Sequence, residues 1–386
     1  MILTDIEKSL SIFENQSNTV QQIYDSRYCN FCGACIHSCP VNAIEYLDPQ
    51  ITVKENCIHC GKCLEICSQN QKVRYSKSLI DIERNEQIKD VHPKIADVPL
   101  GSFKEIWNGF SSSRKTRNVT MAGGVTTSLL YTALSENIVD AVLIPEFTEN
   151  KQNPRGTLIS NPEELLQSGG SKYLPTLSLD KLNEIANNQD IDRIVITTLP
   201  CQAYVIRKMF LDTQYEKLVK KIQLVLTLFC GSGIPYRDDV EFFLKAKGVT
   251  ESLSELKVIR RRERRIWRIN PQAIERYIFI TKDGKEVSIS SSKILRCKTK
   301  SNCSTICPDY TGYFSDISIG ASHISANIIV ARTEKGRELV KLAIEKGFIK
   351  TKNFSKINNF LINFMGKNKK NLKRKSYRDF LNNKQV

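Results

Sequence analysis

The sequence is poor in histidine and contains no long apolar segment. Only four of its 386 residues are histidines, and none is placed as a convincing catalytic base. No run of about 18 uncharged apolar residues occurs, which argues against a membrane-spanning helix. The first ten residues, MILTDIEKSL, lack the basic and then apolar layout of a secretory signal peptide. We therefore expect a soluble cytoplasmic protein.

Acidic residues are outnumbered by basic residues, and the excess is local. The net charge is +16; residues 351–386 hold ten basic residues and one acid, and Arg260–Arg268 hold six arginines and one glutamate. These two segments account for nearly all of the excess. A surface that coats nucleic acid would carry positive charge more widely, so two basic patches need an explanation.

Cysteine is abundant, but its spacing argues against a secreted disulfide framework. Eight of the thirteen cysteines form two runs within 39 positions, each with the pattern C-x2-C-x2-C-x3-C. This is the iron–sulfur spacing of bacterial two-cluster ferredoxins. The first run is Cys29, Cys32, Cys35 and Cys39, followed by Pro40, and the second is Cys57, Cys60, Cys63 and Cys67, followed by Ser68.

In such runs three thiolates wrap one cluster and the fourth ligates the other cluster. Gly33 and Gly61 stand where the chain must turn beside a cluster. Zinc sites or disulfides are the alternatives, although zinc ligands usually come as separate pairs. Residues 20–70 thus resemble a two-cluster ferredoxin domain, which we assign to residues 1–70. One [4Fe–4S] cluster would take Cys29, Cys32, Cys35 and Cys67, and the other would take Cys57, Cys60, Cys63 and Cys39.

From Ser102 onward, apolar runs alternate with helical patterns, after a polar segment, residues 71–100, that we interpret as a linker. The alternation predicts an α/β (α+β) catalytic domain with ligand-binding loops at the carboxyl ends of its strands. The predicted strands are Ile138–Phe147, Ile191–Leu199 and Ile222–Phe229, and the predicted helices are Val125–Ser135, Gln202–Asp212 and Tyr236–Lys247.

Five further cysteines lie in this part of the chain. Cys201 and Cys230 come at the ends of predicted strands, and Cys297, Cys303 and Cys307 lie close together in the sequence. We expect them to converge on a third [4Fe–4S] cluster, with five thiols for four positions and Cys297 as the least certain ligand. The alternative for any single cysteine is a small buried hydrophobic residue.

Seven short motifs lie in order between residues 101 and 350. They are Ala122–Leu130 (AGGVTTSLL), Gly169–Tyr173 (GGSKY), Leu199–Ala203 (LPCQA), Phe229–Gly231 (FCG), Cys303 with Cys307, Ser315–Gly320 (SDISIG) and Ala331–Gly336 (ARTEKG). By these motifs the chain resembles the beta subunits of coenzyme F420-reducing hydrogenases and dehydrogenases, several of which carry a ferredoxin domain at the N-terminus. The family usually has a glycine-bearing loop after its Asp-Ile-Ser-x-Gly motif, where this chain has Ala321–Ser325.

The resemblance implies FAD, at least one [4Fe–4S] cluster and the deazaflavin coenzyme F420 as substrate. A Gly-Gly pair that opens a helix lets N–H groups approach a phosphate, although it also suits an ordinary loop. Asp316 is expected to bind a ribityl or adenosine hydroxyl, unless it only starts a turn. The arginine-rich segment is expected to bind the acidic coenzyme tail, unless it is a solvated strand. The candidate residues for FAD are Gly123, Gly124, Thr126, Thr127, Gly170, Ser171 and Lys172, and those for the tail are Arg261, Arg262 and Arg264.

We expect hydride to pass between the coenzyme and FAD, and single electrons to pass through the third cluster to the ferredoxin clusters, in either direction. This requires a redox partner protein or a second subunit. Residues 351–386 are expected to be a mobile tail that could contact an acidic partner or an anionic membrane surface. The alternative is a non-enzymatic iron–sulfur relay or a nucleic-acid-binding module that uses this tail.

Overall fold

The computed structural model describes two units joined by a hydrophobic interface. Within the described ranges, no helix is long and apolar enough to cross a membrane. The predicted linker (apart from Leu100) and residues 369–386 of the predicted tail lie outside these ranges. The described residues are 19–47, 50–70, 100–120, 122–147, 154–170, 172, 175–231, 236–252, 255–262, 275–290, 303, 307, 309–322, 326–354, 360 and 362–368.

The described residues of the N-terminal unit form three short helices and a β-hairpin. Its elements are α1 (Gln21–Asp25), α2 (Ala34–Ser38), β1 (Ile44–Leu47), β2 (Gln50–Val53) and α3 (Lys62–Ile66). Val20, Ile23, Ile44, Ile51 and Leu64 are buried and pack around the cysteines. Cysteines of both runs, among them Cys35 and Cys63, therefore border this apolar core, whereas Cys60 is exposed.

The second unit is built on a large mixed sheet, accompanied by a small antiparallel sheet. The strands are β3 (Glu105–Ser111), β4 (Ala141–Glu146), β5 (Arg155–Ile159), β6 (Ile194–Thr198), β7 (Ile222–Leu228), β8 (Lys257–Arg262), β9 (Glu275–Ile280), β10 (Glu286–Ser290), β11 (Ile317–Ala321), β12 (Asn327–Ala331) and β13 (Ile349–Lys352). The large sheet has the order β13-β3-β12-β11-β7-β6-β4-β5, and the small sheet has the order β10-β9-β8. Strands β4, β6, β7 and β11 are parallel, so their carboxyl ends lie at one edge. This is the edge where α/β proteins bind ligands.

Helices cover both faces of the large sheet. They are α4 (Arg114–Val119), α5 (Val125–Ser135), α6 (Pro162–Leu165), α7 (Leu182–Asn187), α8 (Pro200–Met209), α9 (Glu216–Val219), α10 (Arg237–Lys245) and α11 (Glu334–Glu345). On one face α5 and α11 pack against Val195 and Leu226. On the other face α7 and α8 pack against Ile196, together with Ala34 and Ile66 of the N-terminal unit. The N-terminal unit therefore completes the core on this second face.

The α/β prediction is confirmed, and the structure corrects several details. The predicted helix Val125–Ser135 has the predicted bounds, and the three predicted strands are present in shortened form. Cys201 lies in the first turn of α8 instead of the predicted loop. The sequence patterns do not predict the antiparallel strands β3, β5, β12 and β13. In β3, β5 and β13, buried positions are mixed with more exposed ones, so these strands form no continuous apolar run.

The beginning of the predicted mobile tail packs against the sheet. Residues 351 and 352 belong to β13, which pairs with β3. Further along, Ile362 is only 2% exposed and packs with Leu100, Ile328 and Val330. Phe354 packs against the same cluster. Residues 351–354 and Ile362 therefore depart from the expected mobile tail.

Candidate redox site

Backbone N–H groups point at thiols in both cysteine runs. The N–H of Phe31 donates to Cys29 Sγ (3.3 Å), and the N–H of His59 donates to Cys57 Sγ (3.4 Å). Phe31 and His59 both have left-handed backbones, with φ of 56° and 52°, so the two runs turn in the same way. Hydrogen bonds of this type stabilise negatively charged sulfur, which is the form that binds iron.

The glycines of the two runs adopt the turns expected of them. Gly33 and Gly61 precede α2 and α3 with φ of 83° and 74°, in the region that favours glycine. A Cβ on Gly33 would also lie 3.3 Å from the backbone nitrogen of Asp180 in the second unit. Glycine at this position therefore serves both the turn and the interface.

The fourth cysteine of each run lies near the other run. Burial raises the pKa of Cys35 well above its ordinary value, and the charge of Cys67 in the other run adds to the increase. Burial likewise raises the pKa of Cys63 to about 11, with a contribution from Cys39. Crossed ligation of two clusters requires this proximity.

Four more cysteines meet at the carboxyl edge of the large sheet. Cys201 follows β6 and Cys230 follows β7, its parallel neighbour. The N–H of Cys230 donates to the carbonyl of Tyr310 (3.0 Å), and the N–H of Cys307 donates to the carbonyl of Cys303 (3.0 Å). Because Tyr310 follows Cys307 by only three residues, these bonds bring the segment with Cys303 and Cys307 to the strand ends.

These four cysteines form a second cysteine group, separate from the eight cysteines of the N-terminal unit, and their thiols influence one another. Burial raises the pKa of Cys201 well above its ordinary value, and the charges of Cys307, Cys303 and Cys230 raise it further. Binding to iron would remove the protons and neutralise the repulsion, so the four thiols fit a cluster. No three metal-binding side chains converge on a single ion within the described ranges; in a cubane each thiolate binds its own iron. Cys297 lies outside the described residues.

One hydrogen bond links the two cysteine groups directly. Asn30 Nδ2, in the N-terminal unit, donates to Cys201 Sγ at 2.9 Å. The groups are also within electrostatic reach: burial chiefly raises the pKa of Cys29, and the charge of Cys303 contributes. Sequence reasoning did not identify Asn30, because the positions between the cysteines of such runs carry no fixed chemistry.

Further polar contacts fix one unit on the other. The N–H of Leu179 donates to the carbonyl of Cys32 (2.8 Å). Arg27 pairs with Asp239 (3.1 Å), and its guanidinium lies 4.4 Å from the centre of the Tyr236 ring. Asp239 is buried, which makes this pair more than a surface contact. Together these contacts set the position of the first cysteine run relative to Cys201.

The predicted phosphate loop opens helix α5 at the same edge of the sheet. Gly124 is the N-terminal cap of α5, with φ of 78°. A Cβ on Gly123 would lie 2.8 Å from Asn327 Oδ1, so glycine allows close packing against β12. The N–H of Val125 donates to the same oxygen (3.2 Å). The next donors of the first turn are the N–H groups of Thr126 and Thr127, which lack partners inside the helix.

Lys172 fastens the second glycine loop to the end of β4. Its Nζ donates to Glu146 Oε1 (2.9 Å) and to the carbonyls of Ser168 (3.2 Å) and Gly170 (3.1 Å). These three acceptors match the three hydrogens of the ammonium group. Burial raises the pKa of Glu146, although the charge of Lys172 opposes it. A cofactor contact would require Lys172 to exchange one partner. Ser171 lies outside the described residues.

Asp316 has a structural role that differs from the expected contact with FAD. Its Oδ2 accepts hydrogen bonds from Arg207 (2.8 Å) and the N–H of Val225 (2.7 Å), and its Oδ1 accepts one from Thr333 (2.8 Å). These donors come from α8, β7 and the start of α11. Asp316 therefore joins three elements around the sheet, and both of its carboxylate oxygens already accept hydrogen bonds from the protein.

The remaining candidates are only partly described. The backbones of Arg261 and Arg262 lie in β8, paired with β9, and Arg264 lies outside the described residues. His37 contacts Asn183, and burial lowers its pKa. The other histidines are His59, which is exposed, and His92 and His323, which lie outside the described residues.

Family models match both units of the chain. Residues 21–68 match a 4Fe-4S dicluster domain. Residues 106–183 match the N-terminal model, and residues 191–357 match the C-terminal model, of the coenzyme F420 hydrogenase/dehydrogenase beta subunit. The two beta-subunit models together cover most of the second unit, and the order of the three matches agrees with the two units of the structure.

Two curated relatives and one solved structure extend these matches. An uncharacterized protein of Methanocaldococcus jannaschii is 23% identical over 88% of this chain and 93% of its own length. The beta subunit of coenzyme F420 hydrogenase from Methanothermobacter thermautotrophicus is 25% identical over 66% of this chain and 85% of its own length. A chain of the F420-reducing [NiFe] hydrogenase complex from Methanosarcina barkeri has the same fold, with a TM-score of 0.60 at 20% identity over 73% of this chain and 94% of that chain.

Proposed function

Since the chain belongs to the family of coenzyme F420 hydrogenase and dehydrogenase beta subunits, it is an iron–sulfur oxidoreductase, and we propose that it passes electrons between coenzyme F420 and one-electron carriers. FAD and three [4Fe–4S] clusters would be its cofactors. The proposal rests above all on the proximity of the two cysteine groups. Asn30, which lies between Cys29 and Cys32, donates a hydrogen bond to Cys201 Sγ at 2.9 Å, so the two groups are as close as neighbouring electron carriers require.

The third cluster would be held by thiolates from three separate segments. Helix α8 supplies one ligand, the end of β7 supplies one, and the segment before β11 supplies two. Ligands from several segments hold a cluster only if the segments are fixed, and the pair between Arg207 and Asp316 fixes α8 against the start of β11. The proposed ligands are Cys201, Cys230, Cys303 and Cys307, with Cys297 as the spare thiol.

FAD, when bound, would exchange two electrons with a hydride donor and single electrons with a cluster. The first turn of α5 would bind its phosphates through the N–H groups of Thr126 and Thr127, with Gly123 and Gly124 allowing close approach. Lys172 would contact the cofactor from the far side. The α5 loop lies beside β12 and Lys172 beside β4, roughly 19 Å apart at about 4.8 Å per strand. Cys201 and Cys230 lie between them in the strand order.

Coenzyme F420 would bind through its acidic tail to the arginine-rich segment. Guanidinium groups bind phosphate and carboxylate groups through paired hydrogen bonds. Changing Arg261, Arg262 and Arg264 together to glutamine should raise the apparent KM for the coenzyme and leave the FAD content intact. An unchanged KM at low salt would show that the arginines serve another role, such as contact with a protein.

Electrons would leave through the second ferredoxin cluster to a partner protein. Cys60 is exposed, and Ile58 beside it is 60% exposed, whereas the first run faces the second unit. The relative from Methanothermobacter thermautotrophicus is named as a subunit, so we propose a partner subunit here as well. The protein would work in the cytoplasm, and the basic residues after 368 would contact an acidic or anionic surface.

Anaerobic stopped-flow measurements test the proposal on the full chain. The purified protein should contain about twelve iron atoms, the number required for three cubane clusters, and FAD. Reduced coenzyme F420 should bleach the flavin absorption, followed by reduction of the clusters. NADH and NADPH serve as matched donors in separate mixtures and should bleach it far more slowly. Flavin-free protein, or bleaching by a nicotinamide alone, would contradict the proposed activity.

A further inference from the structure

Asn30 lies inside the first cysteine run and reaches into the second unit. Its side chain is buried, with the residue 3% exposed. A buried amide is costly unless its hydrogen bonds are made, so its partners show what the site requires. One of these partners, Cys201, is a proposed ligand of the third cluster, although Asn30 itself lies between Cys29 and Cys32 of the ferredoxin unit.

The orientation of the amide follows from its two ends. Oδ1 accepts the N–H of Cys32 (3.2 Å), a bond that only the oxygen can make. Nδ2 therefore faces the second unit, where it donates to Cys201 Sγ (2.9 Å) and lies 3.4 Å from Ser68 Oγ. The opposite orientation would place two donors together at Cys32 and oxygen against sulfur. The donor role towards Cys201 is thus determined by the contacts on both sides.

The second cysteine run provides an internal comparison. The residue equivalent to Asn30 is Ile58, which is 60% exposed, and the residue equivalent to Ser68 is the exposed Pro40. Asn30 and Ser68 are both buried and lie on the side that faces Cys201. The two runs share their cysteine spacing and their turns, so the polar pair is not needed to form a ferredoxin fold. Of the two runs, only the one that borders Cys201 has this polar pair.

We propose that Asn30 is a positioning residue that raises the reduction potential of the third cluster by donating a hydrogen bond to the Cys201 thiolate. The inference rests on the third cluster of the proposed function. A reduced cluster carries one more negative charge than an oxidised cluster, and a donor at its sulfur stabilises that charge. The third cluster then accepts electrons from the flavin side more readily. Asn30 also holds the first cysteine run directly against Cys201.

EPR-monitored potentiometry on the full-length holoprotein tests this role. In Asn30→Ser, the hydroxyl can still accept the N–H of Cys32, but it is too short to reach Cys201. The equilibrium constant for electron uptake by one cluster should fall about tenfold. This lowers the reduction potential of that cluster by about 59 mV, the value for a one-electron couple. The other potentials and the iron content should not change. Ile58→Ser, the same substitution at the equivalent place in the second run, should leave the affected potential at its wild-type value.

A spectroscopic measurement on the wild-type protein tests the hydrogen bond directly. With nitrogen-15 in asparagine amides, ENDOR spectra of the reduced protein should show a nitrogen coupled to a cluster, and Asn30→Ser should lose that signal. Equal potentials in the wild-type protein and in Asn30→Ser, both with full iron, would overturn the inference alone. An iron content of about eight atoms, enough for two clusters, would overturn the third cluster and the inference with it.

Discussion

Replacing Asp316 by asparagine should destabilise the second unit strongly. The carboxylate pairs with Arg207 at 2.8 Å, and the two side chains are only 8% and 5% exposed. Asparagine keeps the size of the side chain and one oxygen, but it removes the charge that balances the guanidinium. Arg207 would then remain buried as an uncompensated cation, and its bond to the carbonyl of Phe314 (2.8 Å) cannot supply a negative charge.

The size of the effect follows from the burial of the pair. Breaking a buried ion pair by removing one partner costs about 3–5 kcal/mol. For a domain of this size, each kcal/mol lowers Tm by about 2–4 °C, so Asp316→Asn should melt roughly 6–20 °C below the wild-type protein. Because Arg207 lies on α8 with Cys201, iron should also be lost from the third cluster before it is lost from the ferredoxin unit.

Anaerobic differential scanning calorimetry with parallel iron and flavin analysis measures both effects. Asp140→Asn is the matched control, because it makes the same change at the exposed pair with Arg193, whose side chains are 27% and 45% exposed. Such pairs contribute about 0–1 kcal/mol, so the control should melt within a few degrees of the wild-type protein. A Tm of Asp316→Asn equal to that of the control would refute the structural role. Loss of FAD at an unchanged Tm would instead return Asp316 to the cofactor site.

Three further outcomes are expected. Cys307→Ser should lose about four iron atoms per chain, the content of one cubane, whereas Cys297→Ser should keep all of its iron in the same analysis. Lys172→Met should weaken FAD binding about tenfold in a flavin fluorescence titration, because the glycine loop loses its tie to β4; equal affinity would remove Lys172 from the site. Truncation after Asn368 should leave the rate of flavin bleaching unchanged, because the buried Ile362 is retained, and a slower rate would show that the deleted residues contribute to catalysis.

The sequence predicts the parts of the fold that depend on local patterns. Regular cysteine spacing identifies the ferredoxin unit, and the helical pattern of Val125–Ser135 predicts its helix to the residue. Antiparallel strands such as β5 and β13 escape prediction, since their mixture of buried and more exposed residues forms no continuous apolar run. The roles of Asp316 and Asn30 escape it for a different reason. Each depends on partners more than 90 residues away in the chain, and no local pattern encodes such a contact.

The N-terminal unit uses the same backbone turn twice, but only one of the two turns packs against the second unit. Phe31 and His59 occupy equivalent left-handed positions, yet Phe31 is 1% exposed and packs 4.8 Å from the Tyr236 ring, while His59 faces solvent. A duplicated module with identical halves could attach by either half. Here the backbone and the cysteines are common to both halves, and only the intervening side chains differ. The residues that bind the clusters are thus different from the residues that decide which turn faces the second unit. Substitutions between the cysteines could therefore turn such a relay around without altering a ligand.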